Sequence, residues 1–346
     1  MKRSSKEDIE LLTSSYNYTL PKGLIASSPV YPRDSAKLLV YNREDRSITH
    51  TTFRDILNFI PKGCEIFLND TKVIKARIFG KKESGGAIEL LFNKPLNANL
   101  SLVMIKGRVR EGMILEFEEN LQAKVISLNG DGSRVVEFYH NNNLIRFEEL
   151  VLILEKIGHI PLPPYMNRED KKEDEIDYQT LFAKNEGAVA SPTASLHFTP
   201  KLFKELEERY NTNRLTLHIG AGTFKPVEAD NILDHPMHSE YFSIPKSSQN
   251  IIDSSKKILA IGTTVTRTVE YYKRERLESG ECDLFLNPQN PPIRVDYLLT
   301  NFHLPKSTLI MLVSAFIGRE ETLRVYQEAI DKEYRFFSYG DTMLIL

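Results

Sequence analysis

The chain has 346 residues, with 45 Lys and Arg against 47 Asp and Glu, a formal net charge of −2. Hydrophobic residues make up 41% and charged residues 27%, which excludes disordered and fibrous classes and leaves room for two or three domains. Near-zero net charge argues against a surface coated in base, though a local basic patch can still meet RNA.

The opening, Met1-Lys2-Arg3-Ser4-Ser5-Lys6-Glu7-Asp8, is polar, so no secretory signal is expected. The longest apolar run, Leu309 to Ile317, is about half what a bilayer crossing needs. Cys64 and Cys282 stand far apart and form neither a CxxC pair nor a disulfide framework. A soluble protein of the reducing cytoplasm is the simplest expectation.

In chain order, Lys37 to Tyr41 is an apolar run, Asn42 to Ser47 supplies turn residues, and Ile48 to His50 returns, which predicts a hairpin. Phe53, Ile56, Leu57 and Ile60 have helical spacing, stopped by Pro61 and Gly63. Glu65 to Leu68 reads as a short strand leading into Asn69-Asp70-Thr71. From about Lys72 to Leu154 short β-rich runs recur: Ile88 to Phe92, Leu100 to Ile105, Met113 to Phe117, Ala123 to Leu128 and Arg134 to Tyr139. Turn clusters such as Ser84-Gly85-Gly86 and Asn129-Gly130-Asp131-Gly132 separate them, the pattern of a small antiparallel barrel or sandwich.

Beyond His159, the extended connector Pro161-Leu162-Pro163-Pro164 precedes a charge run, Arg168 to Asp177, that reads as a solvated loop or helix face. Thr199 caps a helix with Pro200 in its first turn. Leu215 to Ile219 and Lys257 to Ile261 read as buried strands, each entering a Gly/Thr turn. Strands alternating with helices indicate a layered α/β domain. Residues 1–71 and 155–346 are expected to form it, interrupted by an inserted antiparallel β-barrel over 72–154.

No HExxH, GxSxG or zinc-type cysteine spacing is present. Gly262-Thr263-Thr264 follows a strand and opens a helical stretch containing Arg267, where free amides and hydroxyls can hold an anion; an ordinary strand–helix turn is the plain alternative. His218-Ile219-Gly220-Ala221-Gly222-Thr223-Phe224 makes a second such turn, whose glycines suit close approach to a nucleoside or a bulge. His235, His238 and Glu240 lie close in sequence, as metal ligands, as polar substrate contacts or as structural hydrogen bonders. Asn301 and His303 stand at the mouth of a strongly apolar helix capped by Ser307 or Thr308. Basic residues gather at Lys72, Lys75, Arg77, Lys81 and Lys82, and again at Lys106, Arg108 and Arg110, either as a phosphate track or as solvated surface.

Taken in order, these segments resemble the S-adenosylmethionine:tRNA ribosyltransferase-isomerase family of queuosine biosynthesis. The likeness runs through Tyr18-Thr19-Leu20-Pro21, Arg33-Asp34-Ser35 and Phe67-Leu68-Asn69-Asp70-Thr71. It continues through His159 to Tyr165, Tyr178-Gln179-Thr180, Pro192-Thr193-Ala194 and Leu196-His197-Phe198-Thr199. Gly222-Thr223-Phe224, Met237-His238-Ser239-Glu240, Gly262-Thr263-Thr264, Leu299 to Pro305 and Tyr334 to Asp341 complete it. The chain departs from the family at Ser191 and Ser195, where alanine and glycine are usual, at Lys72 and Lys75, in the turn from Asn287 to Pro292, and in an extension before about Ser14.

The resemblance implies an α/β domain interrupted by a β-barrel. It implies transfer and isomerisation of the ribosyl group of S-adenosylmethionine onto the aminomethyl arm of a deazaguanine at the tRNA wobble position, forming epoxyqueuosine and releasing adenine and methionine. S-adenosylmethionine is then a substrate, no metal or redox cofactor is required, and a monomer is expected. Proton removal beside the sulfonium needs a neutral histidine or a carboxylate; His303, His197, Asp70 and Asp34 are the candidates, unranked. Expected substrate contacts are Arg33, Asn69, Thr193, His218, Gly222, Thr223, Phe224, His238, Glu240, Thr263, Thr264, Arg267 and Asn301. Expected tRNA contacts are Lys72, Lys75, Arg77, Lys81, Lys82 and Arg335, with Tyr339 a possible stacking partner and Phe336 read as core. A noncatalytic RNA-binding module and a metal-dependent nucleotide hydrolase using His235, His238 and Glu240 are the competing classes.

Overall fold

Four strands, Thr212–Leu217, Glu65–Asn69, Ile258–Ile261 and Tyr297–Asn301, lie side by side and parallel at the centre of a nine-stranded sheet. They come from a computed structural model that describes residues 9–224 and 227–346, the side chains of Thr223 and Phe224 excepted. Beyond Thr212–Leu217 the sheet continues antiparallel through Glu240–Ser243 and Ser279–Cys282. Beyond Tyr297–Asn301 it continues through the antiparallel strand Thr342–Ile345, then Lys37–Tyr41 and its hairpin partner Ile48–Thr52.

Side chains alternate across each strand, so the sheet feeds a core on either face. Leu39, Leu298, Met343 and Ile345 pack beneath helices Thr308–Ile317 and Arg319–Asp331. Leu38, Leu299 and Leu344 face the other way, against helix Pro200–Arg209. The Thr199 hydroxyl accepts from the Leu202 N–H and the Ser307 hydroxyl from the Ile310 N–H, both at 3.3 Å, so each cap sits where its sequence placed it. The apolar spacing from Phe53 instead produces a short 3-10 helix, Phe53–Asn58, because the segment is brief and Pro61 follows.

The barrel closes from six antiparallel strands, Arg77–Lys82, Ala87–Pro95, Leu100–Lys106, Ile114–Glu116, Leu121–Leu128 and Ser133–His140. Ile88, Leu90, Phe92, Val103, Val125 and Phe138 fill it, and helix Phe147–Ile157 covers that core with Leu150, Val151 and Leu154. The chain enters and leaves side by side: the Arg77 and His159 backbones exchange two hydrogen bonds, and Thr71–Val73 pairs with Asn185–Ala188.

The charge run from Arg168 to Asp177 is solvated over most of its length, as its sequence suggests, but two of its carboxylates, Asp174 and Asp177, are buried. Arg168 forks onto both oxygens of Asp174 at 2.7 Å, and Asp174 also accepts the Tyr339 hydroxyl at 3.1 Å. Asp177 pairs with Arg33 at 2.8 Å and accepts from the Tyr31 hydroxyl. Arg168 and Asp174 are six residues apart, but Tyr31, Arg33 and Tyr339 lie toward the two ends of the chain, out of reach of any local reading. Among the described residues no helix is long and apolar enough to cross a membrane.

Asn69 ties the strand ends together. Its amide donates to the Leu217 carbonyl at 2.9 Å and to the Thr264 hydroxyl at 3.3 Å, while its oxygen accepts from the Leu217 and Thr71 N–H groups at 3.0 and 3.2 Å. Removing a fully buried amide leaves several polar groups unpaired. Asn69→Ala is therefore expected to lower unfolding free energy by about 2–4 kcal/mol in urea titration.

Candidate functional site

The central parallel strands all end at one edge of the sheet, where open α/β sheets offer their crevice. Ile261 runs into Gly262, whose φ of 101° favours glycine, and helix Thr263–Glu275 begins there. Asn301 ends its strand, His303 follows, and Ser307 caps helix Thr308–Ile317. Between these elements lies a cavity of about 90 Å³ whose walls include Thr193, Thr263, Thr264, Thr300, Asn301 and His303. None of its lining side chains carries a formal charge. The N-terminal turns of two helices and several hydroxyls converge on it, an arrangement suited to a carboxylate.

The His303 ring meets the Thr300 hydroxyl at 2.9 Å, the residue's backbone N–H donates to the Tyr326 hydroxyl at 3.1 Å, and its backbone carbonyl accepts from the Tyr18 hydroxyl. Burial pushes its pKa down to about 3, so the ring is neutral at physiological pH. Asn301 accepts the Thr193 hydroxyl at 2.9 Å and places its amide nitrogen 3.3 Å from His197 Nε2. His197 stands behind Asn301, outside the cavity lining. Burial, and then the charges of Arg335 and Arg33, push its pKa down to about 3 as well.

Some contributors were not singled out from sequence. Tyr165, stacked on Phe337 with ring centres 4.4 Å apart, and the buried Tyr178 supply aromatic wall. The Ser191 hydroxyl is buried there with no hydrogen-bond partner among the described residues. Both tyrosines stand in family-like blocks, and Ser191 was visible as a departure from the family.

A larger cleft of about 1100 Å³ opens between the barrel and the sheet edge. Glu89, Leu91 and Asn93 face it, being the outward counterparts of the barrel-filling Ile88, Leu90 and Phe92. His218, Gly222, His238 and Glu240 form the opposite wall. Asn93 Oδ1 accepts the Ala221 N–H at 2.9 Å, and Lys94 reaches Ser239 Oγ at 3.0 Å and Glu281 at 2.7 Å, so barrel and sheet edge are bonded across the cleft. A Cβ on Gly222 would lie 2.5 Å from the His238 ring, which explains the glycine. Val189 and Gly220 line the cleft, while their neighbours Ala190 and Ile219 line the smaller cavity; the two spaces adjoin.

His218 meets the Thr71 hydroxyl at 2.8 Å, and burial lowers its pKa against the opposing charge of Asp70. Glu240 binds Arg267 at 2.5 Å and the Gly220 N–H at 3.0 Å, while Arg267 donates also to the Leu284 and Cys282 carbonyls. This buried pair holds the 220 turn in place. With Glu240 so committed, and with no group of three or more His, Cys, Asp and Glu arranged around a common point among the described residues, the metal-hydrolase reading gains no support.

Of the other expected residues, Arg77 lines the cleft, while Asp70, Asp34, Arg33, Lys72, Lys75, Lys81 and Arg335 line neither space. Asp70 Oδ1 accepts from Thr216 at 2.6 Å and Asn185 at 3.0 Å, and Asp34 sits 3.4 Å from both Arg54 and Thr199. Arg33 is engaged by Asp177. Lys72 pairs with Glu186, Lys75 with Glu175, Arg77 with Glu89, Lys81 with Glu116 and Arg335 with Asp341. The side chains of Thr223 and Phe224 lie outside the description. By contrast Lys82, Lys106, Arg108 and Arg110 make no ion pair among the described residues; the last three are exposed at one barrel loop, and Lys106 lines the cleft.

A polar cavity at the carboxyl edge of a parallel sheet, beside a cleft faced by an inserted barrel, defines a two-lobed α/β protein of the substrate-binding type. The chain belongs to the family described as "Queuosine biosynthesis protein", whose profile matches residues 13–345. It is 65% identical over 336 residues, 97% of its length and 99% of the relative's, to the S-adenosylmethionine:tRNA ribosyltransferase-isomerase of Aliarcobacter butzleri. It is 60% identical over equal coverage to the protein of that name from Nitratiruptor sp.. The crystal structure of S-adenosylmethionine tRNA ribosyltransferase from Thermotoga maritima shares 31% identity and a TM-score of 0.54, covering 96% of this chain and 100% of that one.

The two neutral histidines make stability pH-dependent. His197 and His303 bind protons near pH 6.5 when unfolded but only near pH 3 when folded. Their contribution is full above pH 6.5 and is lost as pH falls toward 3, each adding about 1.4 kcal/mol per pH unit to the slope in that window. The urea midpoint should fall between pH 6.5 and 4, and less steeply in His303→Gln.

Proposed function

We propose that this chain transfers and isomerises the ribosyl group of S-adenosylmethionine onto the aminomethyl-deazaguanine wobble base of tRNA, giving epoxyqueuosine, adenine and methionine. The observation that carries this is near-full-length likeness, at 65% identity, to an S-adenosylmethionine:tRNA ribosyltransferase-isomerase. The enzyme works in the cytoplasm as a monomer, with S-adenosylmethionine as a substrate and no metal or redox cofactor. Precursor-bearing tRNA and S-adenosylmethionine, incubated with the protein and analysed by nucleoside mass spectrometry and adenine detection, test it. A noncatalytic RNA binder would form no modified nucleoside and give no heat with S-adenosylmethionine.

In this reading the charge-free cavity takes the methionyl end. Its carboxylate lies against the Thr263 and Thr308 helix starts, and the sulfonium lies near the faces of Tyr165 and Tyr178, a contact worth roughly 0.5–2 kcal/mol. The cleft takes the splayed wobble base beside His218 and Tyr241. His303 is the base. Proton transfer from a carbon beside a sulfonium to a neutral imidazole moves one positive charge without creating another, which a buried, charge-free site tolerates. The resulting ylide opens the ribose and expels adenine; the arm's amine then bonds to the ribose, and epoxide closure displaces methionine.

His303→Ala should lower kcat about 100-fold or more. Wild-type kcat should stay level from pH 8 to 5, because this imidazole titrates near 3; a tenfold loss per pH unit below 6.5 would assign the base elsewhere.

The exposed loop carrying Lys106, Arg108 and Arg110 is the phosphate-contacting rim. Replacing all three by Ala should reduce the slope of log affinity for tRNA against log salt by about 2–3, since each phosphate contact contributes about 0.7–0.9. Replacing Lys72 and Lys81, already paired with Glu186 and Glu116, should change it little.

A further inference from the structure

Two buried histidines flank the small cavity, yet only one lines it. His303 is part of the wall, whereas His197, 4% exposed, is separated from the interior by Asn301. Its Nε2 lies 3.3 Å from the Asn301 amide nitrogen. An amide nitrogen offers only N–H groups, so Nε2 must present its lone pair and the ring proton must sit on Nδ1. The ring also hydrogen-bonds the Arg33 backbone, the one interaction that raises its basicity, as donation to a carbonyl does. Both ring nitrogens are therefore engaged by the protein.

The consequence falls on Asn301. Its oxygen receives the Thr193 hydroxyl at 2.9 Å and its nitrogen faces His197, so the amide is held at both ends. A hydroxyl can donate or accept, and Thr193 alone would allow the amide to turn over. A ring lone pair can only accept. His197 thus decides which way the amide of a cavity-lining residue points.

We infer that His197 is a positioning residue: it fixes the Asn301 amide in one orientation toward the substrate and takes no proton from it. The inference rests on the proposed reading for what occupies the cavity, but its structural core can be tested without substrate.

In wild-type protein carrying ¹⁵N-labelled histidine, NMR should show His197 as the Nδ1–H tautomer with Nε2 unprotonated. An Nε2–H ring would overturn the inference whether or not the chain proves to be the proposed enzyme. In the kinetic arm, His197→Leu removes the acceptor and should raise KM for S-adenosylmethionine about tenfold while kcat falls less than threefold. His197→Gln, which restores an acceptor oxygen at that reach, should bring KM back to within about threefold of wild type. Thr193→Val releases the other end of the amide and should raise KM less than additively with His197→Leu, which keeps the test available if the leucine variant folds poorly. A hundredfold loss of kcat in His197→Gln with KM unchanged would make His197 the base and sink the inference. A fall in melting temperature with KM unmoved in every variant would reduce it to packing.

Discussion

Parallel strands impose the constraint on which everything else depends. They cannot be joined to one another by tight turns, so long connections follow them and their carboxyl ends collect at one edge. Asn69, Leu217, Ile261 and Asn301 all end there. The barrel is inserted directly after Asn69, within the connection to the neighbouring strand Thr212–Leu217, and so stands over that same edge. A domain inserted after the opposite end of a strand would face away from the cavity. The cleft between barrel and sheet is thus a product of where the insertion falls, and the Asn93–Ala221 and Lys94–Ser239 bonds fix its width.

Charge is managed by the same geography. Around the small cavity the ionised groups are neutralised one layer back: Glu240 by Arg267, Asp177 by Arg33, and Asp174 by Arg168. The interior keeps hydroxyls, an amide, a neutral imidazole and aromatic faces. A sulfonium bound in such a place meets no carboxylate that would hold its charge in the ground state, leaving the acidity of the adjacent ribose carbon available. Burial that depresses the pKa of His303 also makes it a weak base in the empty protein, so on the proposed chemistry the driving force must come from the acidity the sulfonium confers.

Much of this was legible in the chain. Strand runs, the barrel's evenly spaced turns and the Thr199 and Ser307 caps were readable because each rests on neighbours within a few residues. What failed to show was pairing over distance. Arg168 to Asp177 is mostly solvated as it reads, but Asp174 and Asp177 are buried because Tyr339 and Arg33, their partners, lie toward the chain's two ends. Asp70 looked like a base beside a strand end, but Thr216 and Asn185 occupy its carboxylate. Lys72 to Lys82 formed the denser basic run, yet Glu186, Glu175, Glu89 and Glu116 offset four of its five charges. A sequence counts charges; only the fold reveals which are already answered.

On the proposed chemistry, the sizes of the two spaces bear on how they would share the reaction. At about 90 Å³ the inner cavity is too small for a whole adenosyl ligand, since pockets for ligands of that size run to roughly 300–1,000 Å³. The cleft, at about 1100 Å³, exceeds what one nucleoside needs. The wall between them is main chain: the N–H groups of Val189 and Ala190 both donate to the Ile219 carbonyl, at 2.8 and 3.2 Å. A donor anchored by its methionyl end in the cavity would extend its ribose and adenine past this wall into the cleft, where an extruded base enters from the barrel side. Sulfonium and amine would then reach the same sugar from different spaces, the one held in the cavity and the other in the cleft. That separation suits chemistry in which the ribosyl group changes partners, because it holds both ends in place while only the sugar moves.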